Sequence, residues 1–211
     1  MILCYNILKD LKGAIPLASA EGNTTQKMNG SIEKILFSED EIREKVKRIG
    51  KKISEDYKDK NLVLVGILKG SVIFLSDLMR AIDIDCKIAF LTAKSYGNST
   101  ISSGTVELED TIKTSLGEEI AGKDVILVED ILDTAATLYA VREKIRQLNP
   151  ASVKICTFLE RNIERNVDLI PDYKCFDIQD GFIVGYGLDY AQSYRNLPYV
   201  GILKQEIYTK K

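Results

Sequence analysis

The feature that most constrains this chain is the stretch 125–148, in which an apolar run ends abruptly in carboxylates. Four apolar residues are followed directly by Glu129 and Asp130, and Asp133 comes soon after. A short apolar run with these bounds is typical of a strand buried on both faces of a parallel sheet. From Leu138 onward, apolar residues recur at helical spacing. The sequence therefore predicts a strand, a short polar loop and a helix, with three acids in or beside the loop.

Acids at the end of a buried strand are costly unless they are solvated, paired or bound to a cation. In open α/β sheets, the carboxyl ends of the strands are the places where ligands bind. The alternative is an ordinary strand-to-helix loop in which Asp133 only caps the helix. Three acids within five residues favour a ligand site over this alternative.

Length and composition limit the classes of function. The chain has 211 residues, enough for one α/β domain with a sizeable core, and its formal net charge of −2 argues against general binding to nucleic acid or membrane surfaces. The chain contains no histidine, so acid–base chemistry falls to other side chains, and a metal ion would be a hard, oxygen-bound one such as Mg²⁺. A reducing, cytoplasmic location is expected because no CxxC pair occurs among the four cysteines, Cys4, Cys86, Cys156 and Cys175.

Hydrophobic patterning along the chain predicts an α/β fold with a mostly parallel twisted sheet flanked by helices. Strands are predicted at 61–67, 84–90, 106–109, 125–128, 152–159, 174–178, 182–184 and 199–203. One helix is predicted after the capping box at Ser38–Glu41, and two others each follow a strand. Residues 1–30 are predicted to form a flexible N-terminal extension, and 31–211 the folded domain. The long, small-residue segment 94–104 is either a mobile lid or a plain hairpin connection.

Four segments of the chain resemble a known enzyme family when they are taken together and in order. Val128–Thr137 resembles the phosphoribosyl-diphosphate signature of type I phosphoribosyltransferases, and the other three segments are Leu68–Gly70, Ser95–Gly97 and Phe182–Gly201. Together they are similar to the hypoxanthine (hypoxanthine-guanine) branch of that family over about residues 31–208. The resemblance implies the type I phosphoribosyltransferase fold, with a small hood formed by the N-terminal helix region and the C-terminal segment.

The resemblance also implies how phosphoribosyl diphosphate would be bound. Glu129 and Asp130 would take the ribose hydroxyls, directly or through Mg²⁺ and its water shell. The free N–H groups and the dipole at the start of the following helix suit the 5′-phosphate. The implied contacts to phosphoribosyl diphosphate are Lys69, Gly70, Ser95, Tyr96, Glu129, Asp130, Asp133, Thr134, Ala135, Ala136, Thr137 and Arg195.

For the purine, the resemblance implies that Asp133 is the catalytic general base near N7. Phe182 would stack on the base, Ile183 would lie beside it, and Arg161 stands where the family has a lysine that reads the 6-oxo group. Asp189 would contact the purine region and, with Glu129 and Asp130, the metal. An ordinary place in the strand core is the alternative role for Phe182.

Two departures from the family pattern bear on function. Ala135 occupies a position that is usually Gly in the phosphate loop of the family. Alanine is expected to fit there only if its φ is negative, and a positive φ would weaken phosphate binding. Arg161 can donate to a carbonyl oxygen but is longer and planar compared with lysine.

The predicted function is purine salvage. The chain would transfer 5-phosphoribosyl from phosphoribosyl diphosphate to N9 of hypoxanthine or guanine, giving IMP or GMP and pyrophosphate. Its partners would be these substrates, with Mg²⁺ as cofactor and without nucleic acid or membrane, and it would be a homodimer or homotetramer. Two alternatives are a xanthine-preferring phosphoribosyltransferase and a non-catalytic nucleotide-sensing module on the same fold.

Overall fold

The computed structural model describes residues 28–92, 116–165, 167, 169–179 and 181–209. The predicted extension before residue 28, the predicted strand at 106–109 and the segment 94–104 lie outside these ranges. None of the helices within the described ranges has the length and apolarity required to cross a membrane.

The described residues form two sheets, and the larger one has five strands that all pair in parallel. Its strands are β2 (Leu62–Leu68), β3 (Cys86–Thr92), β4 (Asp124–Leu132), β5 (Ser152–Arg161) and β6 (Tyr173–Ile178). Across the sheet, their order is β3-β2-β4-β5-β6. Helices in the described part of the chain include α1 (Glu39–Asp56), α2 (Val72–Ala81), α3 (Ala136–Arg146) and the short α4 (Gln205–Tyr208). The predicted fold class, a mostly parallel sheet flanked by helices, is confirmed.

The core lies on both faces of this sheet. On one face, α1 and α2 pack against the strands through residues such as Ile53, Phe74 and Phe158. On the other face, the buried side of α3 packs against residues such as Val125 and Leu127. Six of the seven residues of β2 are buried, which explains why this strand is an unbroken apolar run in the sequence.

The smaller sheet joins the two ends of the described chain. It has the order β1-β8-β7 and consists of β1 (Ile32–Phe37), β7 (Ile183–Val184) and β8 (Val200–Leu203), paired antiparallel. Strand β1 was not predicted, because its exposed and half-buried residues do not alternate regularly. The N-terminal contribution to this region is thus a strand, since α1 packs on the large sheet. The hood and its boundaries stay a prediction.

Local sequence signals predicted some ends of helices and strands correctly and others incorrectly. The predicted capping box is present: the hydroxyl of Ser38 accepts from the N–H of Glu41, whose carboxylate accepts from the N–H of Ser38 at 2.8 Å. Strand β3 was predicted two residues too early, and α4 was not predicted. Strand β5 continues to Arg161, so that Glu160 and Arg161 end a strand that lies beside β4.

Candidate active site

The carboxyl ends of β2 and β4 open into a cavity of about 360 Å³. This position is the one at which parallel sheets bind ligands. The cavity is lined by 67–70 at the end of β2 and just beyond it, by 129–135 at the end of β4 and in the following loop, by 137–138 of α3, and by Asp189 and Arg195. A wider groove of about 1000 Å³ on the outer face of α1 contains none of the predicted site residues.

Close backbone contacts tie three segments of this site together. The peptide bond between Leu68 and Lys69 is cis, and Gly70 follows it. A Cβ at Gly70 would overlap the carboxylate of Asp130, and a Cβ at Gly187 would overlap the carbonyl oxygen of Gly70. Glycine at both positions therefore allows the loop after β2 to lie directly between the end of β4 and the segment that follows β7.

Glu129 and Asp130 are desolvated carboxyl groups at the wall of the cavity, and their side chains interact with each other. Asp130 Oδ1 accepts from the N–H of Ile131 at 2.8 Å, whereas the buried Oε2 of Glu129 has no hydrogen-bond partner among the described residues. Burial raises the pKa of Glu129 well above its usual range, and the neighbouring charge of Asp130 raises it further. Burial also raises the pKa of Asp130. These two carboxylates are therefore held where a ligand or cation could relieve their desolvation.

The loop between β4 and α3 ends in a left-handed residue. Ala135 has φ 67° and ψ −10° and precedes the first residue of α3. Alanine was expected to fit at this position only with a negative φ, but Ala135 has a positive one, because the tight turn imposes the conformation that glycine adopts most easily. The hydroxyl-bearing residues Thr134 and Thr137 are exposed. The N–H groups of the first turn of α3 border the cavity, which suits an anion.

The opposite wall of the cavity carries an arginine that is already paired. Arg195 Nη2 lies 2.7 Å from Asp189 Oδ1, and Arg195 Nη1 donates to the carbonyl of Gly187 at 2.7 Å. The second carboxylate oxygen of Asp189 accepts from the N–H of Gln192 at 2.8 Å. Lys69 Nζ donates to Gln192 Oε1 at 3.2 Å. Two cations predicted to bind phosphoribosyl diphosphate, Lys69 and Arg195, thus meet around one amide side chain.

On the β5 side of the site, Arg161 connects Asp133 to the segment that precedes Phe182. Arg161 Nε lies 3.6 Å from Asp133 Oδ2. Its Nη1 and Nη2 donate to the carbonyls of Gln179 at 2.7 Å and Gly181 at 3.4 Å. The structure therefore brings together the predicted base and the predicted base-reading cation.

Phe182 stands at the edge of the small sheet with 37% of its surface exposed. Its ring is stacked with that of Tyr208 at a centroid distance of 5.1 Å and meets that of Tyr190 edge to face at 5.4 Å. A place in the strand core, the alternative role for Phe182, does not match this exposure. Ile183 is 6% exposed, so its side chain belongs to the core.

The sequence matches the family of phosphoribosyl transferase domains over residues 35–191. The chain belongs to the phosphoribosyltransferase family. It is similar to a hypoxanthine-guanine phosphoribosyltransferase of Streptococcus agalactiae serotype V, with 46% identity over 183 residues that make up 87% of this chain and 99% of the relative. The resemblance drawn from four sequence segments is thereby confirmed.

Solved structures of phosphoribosyltransferases have a similar fold. A hypoxanthine phosphoribosyltransferase from Staphylococcus aureus is 36% identical, has a TM-score of 0.77, and matches over 89% of this chain and 100% of its own. A hypoxanthine phosphoribosyl transferase from Trypanosoma cruzi is 34% identical with a TM-score of 0.72, over 84% of this chain and 94% of its own.

The structure of this phosphoribosyltransferase also adds residues that the sequence analysis missed. The side-chain oxygen of Gln192 accepts hydrogen bonds from Lys69 and Arg195, and the ring of Tyr208 stacks on that of Phe182. Arg165 donates to the carbonyl oxygens at the end of β4. No pattern in the sequence identifies these contacts, because each joins segments that are brought together only by the fold. The predicted contacts Ser95 and Tyr96 lie outside the described residues.

Proposed function

We propose that this chain is a purine-salvage enzyme that transfers 5-phosphoribosyl from phosphoribosyl diphosphate to N9 of hypoxanthine or guanine, releasing pyrophosphate. The names of the relatives support this choice of substrates. The observation that carries the proposal is the division of the site. Desolvated acids and a helix N-terminus line one cavity, while Asp133 and Arg161 lie together on the side that leads to Phe182.

Phosphoribosyl diphosphate would lie in the cavity at the ends of β2 and β4. The ribose hydroxyls would meet Glu129 and Asp130, and the 5′-phosphate would accept hydrogen bonds from the loop and first turn at Asp133, Thr134, Ala135, Ala136 and Thr137. The pyrophosphate would contact Lys69, Gly70 and Arg195, whose guanidinium is suited to paired oxygens. Ser95 and Tyr96 complete this proposed set.

Mg²⁺ is the proposed cofactor. Within the described residues no group of three His, Cys, Asp or Glu side chains could hold a metal ion alone. Mg²⁺ is commonly bound by one or two carboxylates together with substrate phosphates, and the unpartnered Oε2 of Glu129 fits such a site. Glu129 and Asp130 would hold the ion with the substrate, and it would neutralise charge on the diphosphate. Asp189 would become a further contact if Arg195 turned towards the pyrophosphate.

At the purine, Asp133 is the proposed general base. As N9 forms its bond to C1′ of the ribose, the bond from C1′ to the pyrophosphate oxygen breaks, and the proton at N7 passes to the Asp133 carboxylate. Phe182 would stack on the base and the backbone of Ile183 would meet its edge. Arg161 would donate to the 6-oxo group.

A preference for xanthine was the first alternative, because Arg161 stands where the family has lysine. It is not favoured, because the relative of Streptococcus agalactiae is named for hypoxanthine and guanine. A non-catalytic nucleotide-sensing module is not favoured, because the relatives are named as transferases. Consumption of phosphoribosyl diphosphate with hypoxanthine, guanine or xanthine, each measured separately, distinguishes the three functions.

The location and assembly of the enzyme belong to the same proposal. A reducing cytoplasm is supported by the three described cysteines, Cys86, Cys156 and Cys175, all of which are free thiols. A homodimer or homotetramer is supported by the Trypanosoma cruzi enzyme, for which a role of the C-terminal region in oligomeric state is described. Sedimentation velocity of the purified chain tests the assembly.

The role of Asp133 can be tested by Asp133→Asn. We expect turnover to fall by about ten-fold to a thousand-fold with substrate binding largely kept, because the amide cannot accept the purine proton. Steady-state kinetics with hypoxanthine and phosphoribosyl diphosphate measure both quantities. Asp85→Asn, at an exposed position before β3, is the matched control. Normal turnover in Asp133→Asn would remove Asp133 as the base.

A further inference from the structure

Arg165 is a half-buried cation that lies behind the proposed purine site. It follows β5, and only 12% of its side chain is exposed. Its Nε donates to the carbonyl of Asp133 at 2.9 Å. Its Nη2 donates to the carbonyls of Leu132 at 3.3 Å and Arg161 at 2.7 Å. One guanidinium therefore connects the backbone of the proposed base with the backbone of the proposed base-reading residue.

We propose that Arg165 is a positioning residue for the purine half of the reaction. By binding the backbone of Asp133 and Arg161 at the same time, it fixes the distance and angle between their side chains. The 3.6 Å separation of Arg161 Nε and Asp133 Oδ2 is the result. The inference rests on the proposed function, because it assumes the roles given there to Asp133 and Arg161.

The chemistry of arginine suits this position. A guanidinium has five N–H donors in a fixed planar fork, so its several nitrogens can bind three carbonyls and a carboxylate in defined directions. The N–H groups of lysine radiate from a single nitrogen at the end of a flexible chain. Lysine at position 165 would keep the charge, but its three N–H groups on one nitrogen could not serve all four acceptors, the three carbonyls and the Glu160 carboxylate.

The charge of Arg165 is balanced from the opposite side. Its Nη1 donates to Glu160 Oε1 at 2.7 Å, and Glu160 Oε2 accepts from Lys174 Nζ at 2.6 Å. Lys174 also binds Asp177 at 2.7 Å. Burial alone would raise the pKa of Glu160, but the hydrogen bonds from Lys174 and Arg165 lower it below its usual range. The acid is thus ionised and holds the guanidinium against the carbonyls of the loop.

The contacts of Arg165 are confined to one side of the site. Its hydrogen-bond partners are Leu132, Asp133, Glu160 and Arg161, and none is Glu129, Asp130 or Arg195. Loosening this network should therefore displace the purine-binding groups and leave the acids of the ribose site in place. The kinetic consequence is unequal for the two substrates: kcat/KM for the purine falls further than the KM for phosphoribosyl diphosphate rises, because Asp133 is the only partner of Arg165 that belongs to both proposed sites.

The experiment compares Arg165→Gln and Arg165→Lys with the wild type. Displacing a reacting group by about 1 Å costs on the order of 100-fold in rate, so we expect kcat/KM for hypoxanthine to fall by about that factor in Arg165→Gln. The KM for phosphoribosyl diphosphate should rise by no more than about ten-fold, since Arg165 contacts the phosphate loop only at Asp133 and does not contact Glu129, Asp130 or Arg195. Arg165→Lys should recover less than about one tenth of the loss, because charge without the planar fork does not restore the three carbonyl contacts.

Arg43→Gln is the matched control, since Arg43 is an exposed arginine whose ion pairs with Glu39 and Asp40 lie at the start of α1. The unfolding temperature of each variant is measured by circular dichroism alongside the kinetics. Arg165→Lys keeps the charge that faces Glu160, so it provides a folded comparison if Arg165→Gln does not fold.

The outcomes separate this inference from the proposed function. Full recovery of kcat/KM by lysine would overturn the positioning role, since only charge would then matter. A lower unfolding temperature with unchanged kcat/KM for hypoxanthine would overturn it as well, since the role would be structural. A wild-type chain that consumes phosphoribosyl diphosphate with none of the three bases would instead refute the proposed function.

Discussion

The neighbouring strands β4 and β5 both carry acids near their carboxyl ends, at the same edge of the sheet, but these acids differ in their hydrogen-bond partners. Glu160 of β5 binds Arg165 and Lys174 with both carboxylate oxygens. In Glu129 of β4, the buried Oε2 lacks a partner among the described residues. The pKa of Glu160 is lowered by its two cations, whereas burial and Asp130 raise the pKa of Glu129.

This difference gives the two strand ends different roles. The paired carboxylate of Glu160 holds Arg165 against the backbone carbonyls of the loop after β4, whereas the desolvated carboxyl of Glu129 keeps an unpartnered oxygen that a ligand could bind. An unpartnered buried acid reduces stability, and such costs are tolerated where function requires them. The comparison predicts that neutralising the two acids changes stability in opposite directions.

The largest expected effect on stability is that of Glu160→Gln. This change leaves Arg165, with 12% of its side chain exposed, without its counter-ion, and it weakens the hold on Lys174. We expect the free energy of unfolding to fall by about 2 kcal/mol, less than for a fully buried pair because Lys174 is partly exposed. Urea unfolding measures it, with Glu164→Gln at a nearby exposed site as the control. A loss no larger than that of the control would mean that the pairing contributes little.

Glu129→Gln should have the opposite sign. Replacing a desolvated carboxyl group whose Oε2 has no partner among the described residues should raise the free energy of unfolding by about 1 kcal/mol in the absence of substrate. The same change should weaken binding of phosphoribosyl diphosphate with Mg²⁺ by about ten-fold, since a charged ligand group is lost. Urea unfolding and calorimetric titration measure the two effects. A loss of stability would mean that neighbouring groups stabilise the Glu129 carboxyl, and this would contradict the contrast between Glu129 and Glu160.

The pH dependence sharpens the same contrast. Because the pKa of Glu160 is lower in the folded state than its ordinary value of 4.5, its contribution to stability is fully present above that pH and is lost as the pH falls through the folded-state pKa. The difference in unfolding free energy between the wild type and Glu160→Gln should therefore be largest from about pH 5 upward, and should shrink progressively below pH 4. Urea unfolding across pH 3 to 7 tests this. A difference that does not change with pH would mean that Glu160 is not ionised in the folded chain.

Ala135→Gly tests the loop that follows β4. Ala135 has φ 67°, a conformation that costs an alanine roughly 1 kcal/mol and a glycine almost nothing. We expect the free energy of unfolding to rise by about that amount, and binding of phosphoribosyl diphosphate to tighten modestly. Ala136→Gly is the matched control, because position 136 is the first residue of α3 and glycine there should destabilise by about 0.5 kcal/mol. Unchanged affinity in Ala135→Gly would mean that alanine does not weaken phosphate binding.

The smallest expected effect concerns Thr157, which pairs in register with Glu129 across β4 and β5. Its buried hydroxyl has no hydrogen-bond partner among the described residues. Thr157→Val should therefore keep or raise the free energy of unfolding, by up to about 1 kcal/mol. Ser152→Ala on the same strand removes a hydrogen bond to Asp124 of 2.6 Å and should lower it. A clear loss of stability in Thr157→Val would contradict an unpaired hydroxyl.

Periodicity and composition were sufficient for the elements that bury whole faces. Strands such as β2 and β4 are continuous apolar runs, and α1 has both a capping box and an apolar face. The short or irregular elements β1 and α4 carry no such pattern and were missed. They form because residues distant in the sequence cover them: β1 pairs with β8, and Tyr208 of α4 stacks on Phe182.

The sequence by itself determined the family, through the resemblance of four segments. It also determined the parallel sheet and the position of three acids near the end of β4, because these depend on local order and apolar spacing. Only the tertiary structure decided which acids are paired. Glu129, Asp130 and Glu160 are all carboxylates at strand ends, and their different pKa directions come from neighbours on other segments. The conformation of Ala135 was likewise imposed by the turn that joins β4 to α3. Burial and partners are properties of the folded chain, and they set the energy of each charge.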